Sequence, residues 1–197
     1  MIKCITRPAD DLKAVQLQGF HVPPKEPLQP GPRGVAIQVS IPSAQTGYQY
    51  CCVETAVAPK TLGPPPHFHQ ALDEISLVWE GALSVLVGDT VYEVPEGGMQ
   101  VRPRGLVHTF WNATDKPVRF LDMFLNQNFD EYLVEFFRLV AEAEAEQKQR
   151  AIDAPATARR SPDPDTARRM ADLDREFGIT MFHERRQAIL DKYGLER

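Results

Sequence analysis

Apolar residues follow two different periods along this chain. Between residues 35 and 125 they alternate with polar ones or gather in short runs, and after Leu125 they recur every three or four positions. The first regime predicts strands. Val35, Ile37 and Val39 alternate with Ala, Gln and Ser, and further β-rich runs cover Tyr48 to Val57, Ile75 to Trp79, Ala82 to Val87, Val91 to Val94, Met99 to Val101, Val107 to Asn112 and Val118 to Leu125. Gly88-Asp89 between Val87 and Thr90 suits a two-residue hairpin, because glycine takes the positive φ such a turn requires. Many short strands at even spacing predict an all-β sandwich or jelly roll.

In the second regime Phe129, Tyr132, Leu133, Phe136, Phe137 and Val140 fall on one helical face, with Asn128 as N-cap and Glu131 at N3. That aromatic stripe should pack on the strands. Glu142 to Arg150 continues as alanine and charge, with Glu144/Lys148 and Glu146/Arg150 at i,i+4 spacing, which reads as a solvated extension. The organisation that follows is an amino-terminal arm over 1–33, a barrel over 34–126, a helix packed on it over 127–150, and a linker with two short helices over 151–197. Pro/Gly-rich Val22 to Gly34 ends the arm, Pro155, Pro162 and Pro164 mark the linker, and Gly178 and Gly194 cap the last two helices. Those helices are too weakly apolar to fold alone and should dock on the barrel or on a second subunit.

The 197 residues suffice for one substantial core. A net charge of −5 with no basic stripe argues against nucleic acid as a partner. Cys4, Cys51 and Cys52 are too few for a disulfide framework, and no apolar run reaches the length of a membrane span or a secretory leader. A reduced, cytoplasmic location is the expectation. Exposed β edges and the aromatic helix point to a homodimer.

The candidate chemistry lies in two short segments. His67-Phe68-His69 places two imidazoles on one face of a strand, since side chains two apart project the same way. Glu74 lies an odd number of residues from His69, so Gln70 to Asp73 must turn or bulge to bring it to that face, and Asp73 is the alternative ligand. His108 arrives from a distant strand. Three imidazoles and a carboxylate suit one divalent transition metal, Fe, Ni, Mn, Cu or Zn, better than calcium, which prefers oxygen ligands alone. The chain has five histidines, and three belong to this set.

The two segments resemble the paired motifs of the cupin superfamily. His67-x-His69 with Glu74 and Gly81 looks like its first motif, and Gly97, Pro103-x-Gly105, His108 and Asn112 look like its second. The prolines Pro64 to Pro66 before the first histidine resemble single-domain, quercetin-dioxygenase-like members, although Gly63 lies closer to His67 than the usual pattern. The resemblance implies a double-stranded β-helix, or jelly-roll barrel, with carboxy-terminal helices. It assigns His67, His69, Glu74 and His108 as metal ligands, and implies a dioxygenase-like oxidoreductase acting on a small aromatic or phenolic molecule. Glu74 serves there as fourth ligand or as a catalytic base. Metal-assisted isomerisation or hydrolysis, and non-catalytic binding of a small molecule, are the alternatives.

Other residues are read from parity. Ser76, Val78 and Phe110 share the inward parity of the ligands and should line a mostly apolar pocket, which favours an aromatic or otherwise greasy ligand. Glu54 is either a base in that pocket or a solvent-facing strand residue. His183 is either an extra ligand over the barrel mouth or a surface histidine, and Arg102 and Arg104 either bind a carboxylate or sit exposed on a rim turn.

Overall fold

The computed structural model describes residues 18–153 and 163–196, so Cys4 and most of the expected linker lie outside the described residues. The strands are β1 (Val35–Ile41), β2 (Tyr50–Val57), β3 (Thr61–Leu62), β4 (His67–His69), β5 (Asp73–Glu80), β6 (Ala82–Val87), β7 (Thr90–Pro95), β8 (Met99–Arg102), β9 (His108–Asn112), β10 (Val118–Leu125) and β11 (Ile179–Met181). The helices are α1 (Phe129–Asp153), α2 (Pro164–Glu176) and α3 (Arg186–Tyr193).

Two antiparallel sheets face each other, one ordered β1-β2-β10-β5-β8 and the other β11-β4-β9-β6-β7, with β3 paired to β9. This is the expected all-β core with carboxy-terminal helices. The alternation along β10, with Val118, Phe120, Asp122 and Phe124 buried and the residues between them only partly so, shows how period two fills the inside of a sandwich. The Gly88-Asp89 turn joins Val87 and Thr90 as paired neighbours, as its sequence predicts.

Apolar side chains inside the barrel form two clusters. Val57, Val78, Leu83, Val85, Phe110, Val118 and Phe120 fill one end. At the other, Cys51, Val53, Leu72 and Phe124 meet Phe129, Tyr132 and Leu139 of α1 and Leu173, Phe177 and Ile179 from the carboxy-terminal segment. The aromatic stripe of α1 therefore closes one end of the sandwich. α3 covers the outer side of β9, where Trp111 lies 4.4 Å from the Tyr193 ring.

One strand was not foreseen. The sequence places a helix end at Phe177-Gly178-Ile179, and α2 does end there, but Ile179 begins β11, which pairs along β4 at Ile179↔His69 and Met181↔His67. Residues 179–181 are therefore part of the sheet as well as of the carboxy-terminal extension.

Candidate metal centre

The site is assembled from both sheets. His67 of β4 and His108 of β9 are direct cross-strand partners, so their side chains emerge together from one sheet, with His69 two residues along on the same face. After His69 the chain crosses to the opposite sheet, anchored by fully buried Leu72, and begins β5. Glu74 thus faces the histidines across the barrel. The odd spacing is resolved by this change of sheet, not by a bulge within one strand. Asp73 points the other way, to Arg104 and Asn126 at the rim, and does not join the cluster.

The ligand atoms of His67, His69, Glu74 and His108 lie within 4.8 Å of one another, and all four residues are buried. His67 Nδ1 and His108 Nδ1 each lie 2.9 Å from a backbone carbonyl, of Pro65 and Leu106. Donation to those carbonyls fixes the tautomer with the Nε2 lone pair facing inward, the arrangement that a carbonyl behind the ring imposes on metal-bound imidazoles. His108 Nε2 then faces Glu74 Oε1 at 3.0 Å, two acceptors directed at each other. His69 Nε2 is 2.7 Å from the same oxygen but out of line for a hydrogen bond, and both its ring nitrogens are buried without a partner. Opposed acceptors and orphaned ring nitrogens are what a cation between them satisfies, so the residues present fit a transition-metal ion.

The electrostatics agree with that fit. Burial first, and then the neighbouring histidines, hold His67 well below the usual imidazole range, and burial lowers His69 as well, so both are neutral at pH 7, the form in which an imidazole can ligate a metal. Burial alone would raise Glu74, but Arg102 above all outweighs it and keeps the carboxyl well below its usual range.

Arg102 is only 1% exposed and lies inside the barrel, not on a rim turn. Its Nη1 is 2.9 Å from Glu74 Oε2, and its Nη2 donates to Asp122 Oδ1 at 2.5 Å and to Ser76 Oγ at 2.6 Å. Burial pushes the Asp122 carboxyl up to about 6, against the opposing pull of Arg102. Ser76 in turn donates to Asp122, and the guanidinium carbon lies 5.5 Å from the centre of the Phe110 ring. Ser76, Val78 and Phe110 all face inward, but what they line is a filled interior with an ionic layer across it, not a mostly apolar pocket. Gly63 belongs to this packing, since a Cβ there would meet the Phe110 ring at 2.4 Å.

Glu54 is placed elsewhere. It pairs in register with Leu121 of β10, on the face opposite Asp122, where it accepts from Arg119 Nε and Nη2 and from the Leu28 backbone N–H. It is neither a base in the pocket nor a solvent-facing residue, because the arm covers it. His183 is exposed in a short 3-10 turn, away from the cluster, and Arg104 is a rim residue paired with Asp73. Asp122 was missed in the sequence, although its inward parity on β10 was readable.

On the capping side, the Phe129 ring meets His69 edge-on at 5.0 Å and is itself flanked by Phe124 and Tyr132, each at 4.7 Å. Open clefts of 460 and 380 Å³ lie on the flanks of α2, beside Arg169 and Asp174, and not at the histidines.

Residues 53–124 match the family model described as the cupin domain. That match spans most of the barrel and a little over a third of the chain. Over 75 residues the chain is 37% identical to a putative germin-like protein 9-2 of Oryza sativa subsp. japonica, a match that covers 36% of this chain and 35% of that protein. The chain thus spans about a third of that relative. Among solved structures it is similar to an oxalate oxidase in complex with glycolate, at 26% identity over 50% of this chain and 53% of that one, with a TM-score of 0.43. KdgF from Halomonas sp. is similar at 19% identity over 50% of this chain and 84% of that one, with a TM-score of 0.44. Among the described residues no helix is long and apolar enough to cross a membrane.

Proposed function

We propose that this chain is a cupin and a metal-dependent oxidoreductase of dioxygenase-like type, acting on a small aromatic or phenolic molecule. The observation that carries the reading is the buried set of three imidazoles and one carboxylate, with His108 Nε2 and Glu74 Oε1 facing each other as acceptors at 3.0 Å. His67, His69, His108 and Glu74 would hold the ion, which when bound would act as a Lewis acid or redox centre toward substrate and dioxygen. The chain's own part is positional. The carbonyls of Pro65 and Leu106 aim two imidazoles, Arg102 holds the carboxylate, and the rings of Phe129, Phe124 and Tyr132 exclude water from the His69 side. The aromatic surroundings of His69, made by Phe129, Phe124 and Tyr132, support an aromatic ligand over a sugar or phosphate.

A second reading, metal-assisted isomerisation or hydrolysis, is favoured by the ionic layer of Arg102, Asp122 and Ser76 behind Glu74, which is suited to moving a proton rather than an electron. Elemental analysis of the protein purified without added metal, repeated on His67→Ala and His108→Ala, tests the site. About one equivalent in the wild type and loss in both variants is expected, and unchanged content in the variants sinks it. Oxygen uptake with a panel of phenolics and small carboxylic acids then separates the readings, since turnover without oxygen consumption selects the second.

A further inference from the structure

We infer that Arg102 is a positioning residue that restricts Glu74 to a single ligating oxygen. The inference rests on the metal reading above and concerns how the carboxylate meets the ion. The two oxygens of Glu74 have separate environments. Oε1 lies 2.7 Å from His69 Nε2 and 3.0 Å from His108 Nε2, among the other ligand atoms, whereas Oε2 is engaged by Arg102 Nη1 at 2.9 Å.

A carboxylate free to rotate can bind a divalent ion through one oxygen or both, and the second mode occupies a position that substrate or dioxygen would need. Rotation here is blocked by more than one contact. Glu74 and Arg102 are direct cross-strand partners on β5 and β8, so the pair is set by sheet register. The far side of the guanidinium is pinned by Asp122 and Ser76, themselves in register on β10 and β5, and its face lies against Phe110. A planar fork with fixed donors can span Glu74 and Asp122 at once, which the single ammonium of lysine cannot reproduce. The cluster also needs the charge, because burying Glu74 and Asp122 together without a cation between them is strongly unfavourable.

The test uses the full chain stripped of metal and reloaded with Co(II), whose visible absorption reports coordination number. Arg102→Lys keeps the positive charge but loses the fork, and Asp122→Asn keeps Arg102 while loosening its far side. Both variants are first checked for folding by circular dichroism and thermal unfolding. Arg102→Lys is expected to weaken Co(II) binding by about 10- to 100-fold and to change the shape and intensity of the absorption band, with Asp122→Asn altering both in the same direction by less. A wild-type spectrum and affinity in folded Arg102→Lys would overturn the inference and leave the metal site standing. If Arg102→Lys does not fold, a wild-type spectrum and affinity in folded Asp122→Asn overturn it instead. If the wild type itself takes up no Co(II), Zn(II), Mn(II) or Fe(II), both the inference and the metal reading fail.

Discussion

Two ion pairs come from the same two stretches of chain and have opposite settings. Asp73 meets Arg104 at the rim, and Glu74 meets Arg102 inside the barrel. The residue types match and the carboxylates are neighbours in sequence. Strand parity sends one to solvent and the other to the core. At the rim, the side-chain hydrogen bond from Arg104 is the largest influence on the Asp73 carboxyl and lowers it against desolvation, and water screens most of the attraction. In the core, desolvation is the largest influence on Glu74, and Arg102 is the leading charge that overcomes it. A surface pair can be lost with little consequence, whereas removing one member of the buried pair strands a charge.

The largest expected consequence is therefore in Arg102→Met, which should lose about 3–5 kcal/mol of unfolding free energy by urea titration. A loss equal to that of Arg104→Met at the rim would break the contrast. Next, loading the wild type with a divalent transition metal at about a hundred times its dissociation constant should add about 2.7 kcal/mol. His108→Ala should gain much less, and an equal gain would mean the ion binds elsewhere.

A smaller effect concerns acid. Asp122 has its folded pKa raised from 3.8 to about 6, so in the metal-free protein its contribution is fully present below pH 3.8 and is lost as pH rises towards 6. Glu74 is depressed, so its contribution is present above 4.5 and is lost as pH falls through its lower folded value. Asp122→Asn should therefore remove a decline in stability between about pH 4 and 6 while leaving the loss at stronger acid. Identical pH profiles would show that Asp122 is not the group responsible. The smallest effect is Arg104→Met, about 0.2–1 kcal/mol, diminishing further in salt; a salt-insensitive loss of several kcal/mol would show that the rim pair is not screened.

How legible the site was follows from the range of the forces involved. His67, His69 and His108 could be read because parity along a strand is local and the residues that turn the chain lie beside them. The choice of Glu74 over Asp73 could be named but not explained, since its cause is a crossing between sheets. Arg102 was ambiguous for the same reason, because only the register Glu74↔Arg102 places it inside. Glu54 was resolved by its partners Arg119 and Leu28, distant in sequence, and β11 went unseen because three residues behind a helix-capping glycine carry no period of their own. The strands of the barrel and the aromatic helix were plain because each repeats its pattern over several residues.

The pairing of β11 with β4 has a consequence for the order in which the protein is made. The strand that bears His67 and His69 is held on its outer edge by Ile179 to Met181, with further bonds from Gln70 N–H to the Gly178 carbonyl and from Phe182 N–H to the Pro66 carbonyl. During synthesis on the ribosome His67, His69, Glu74 and His108 all emerge long before these residues do. The strand of His67 and His69 therefore waits with an open edge while more than a hundred further residues are translated, and the wall around the site closes only once Ile179 to Met181 appear.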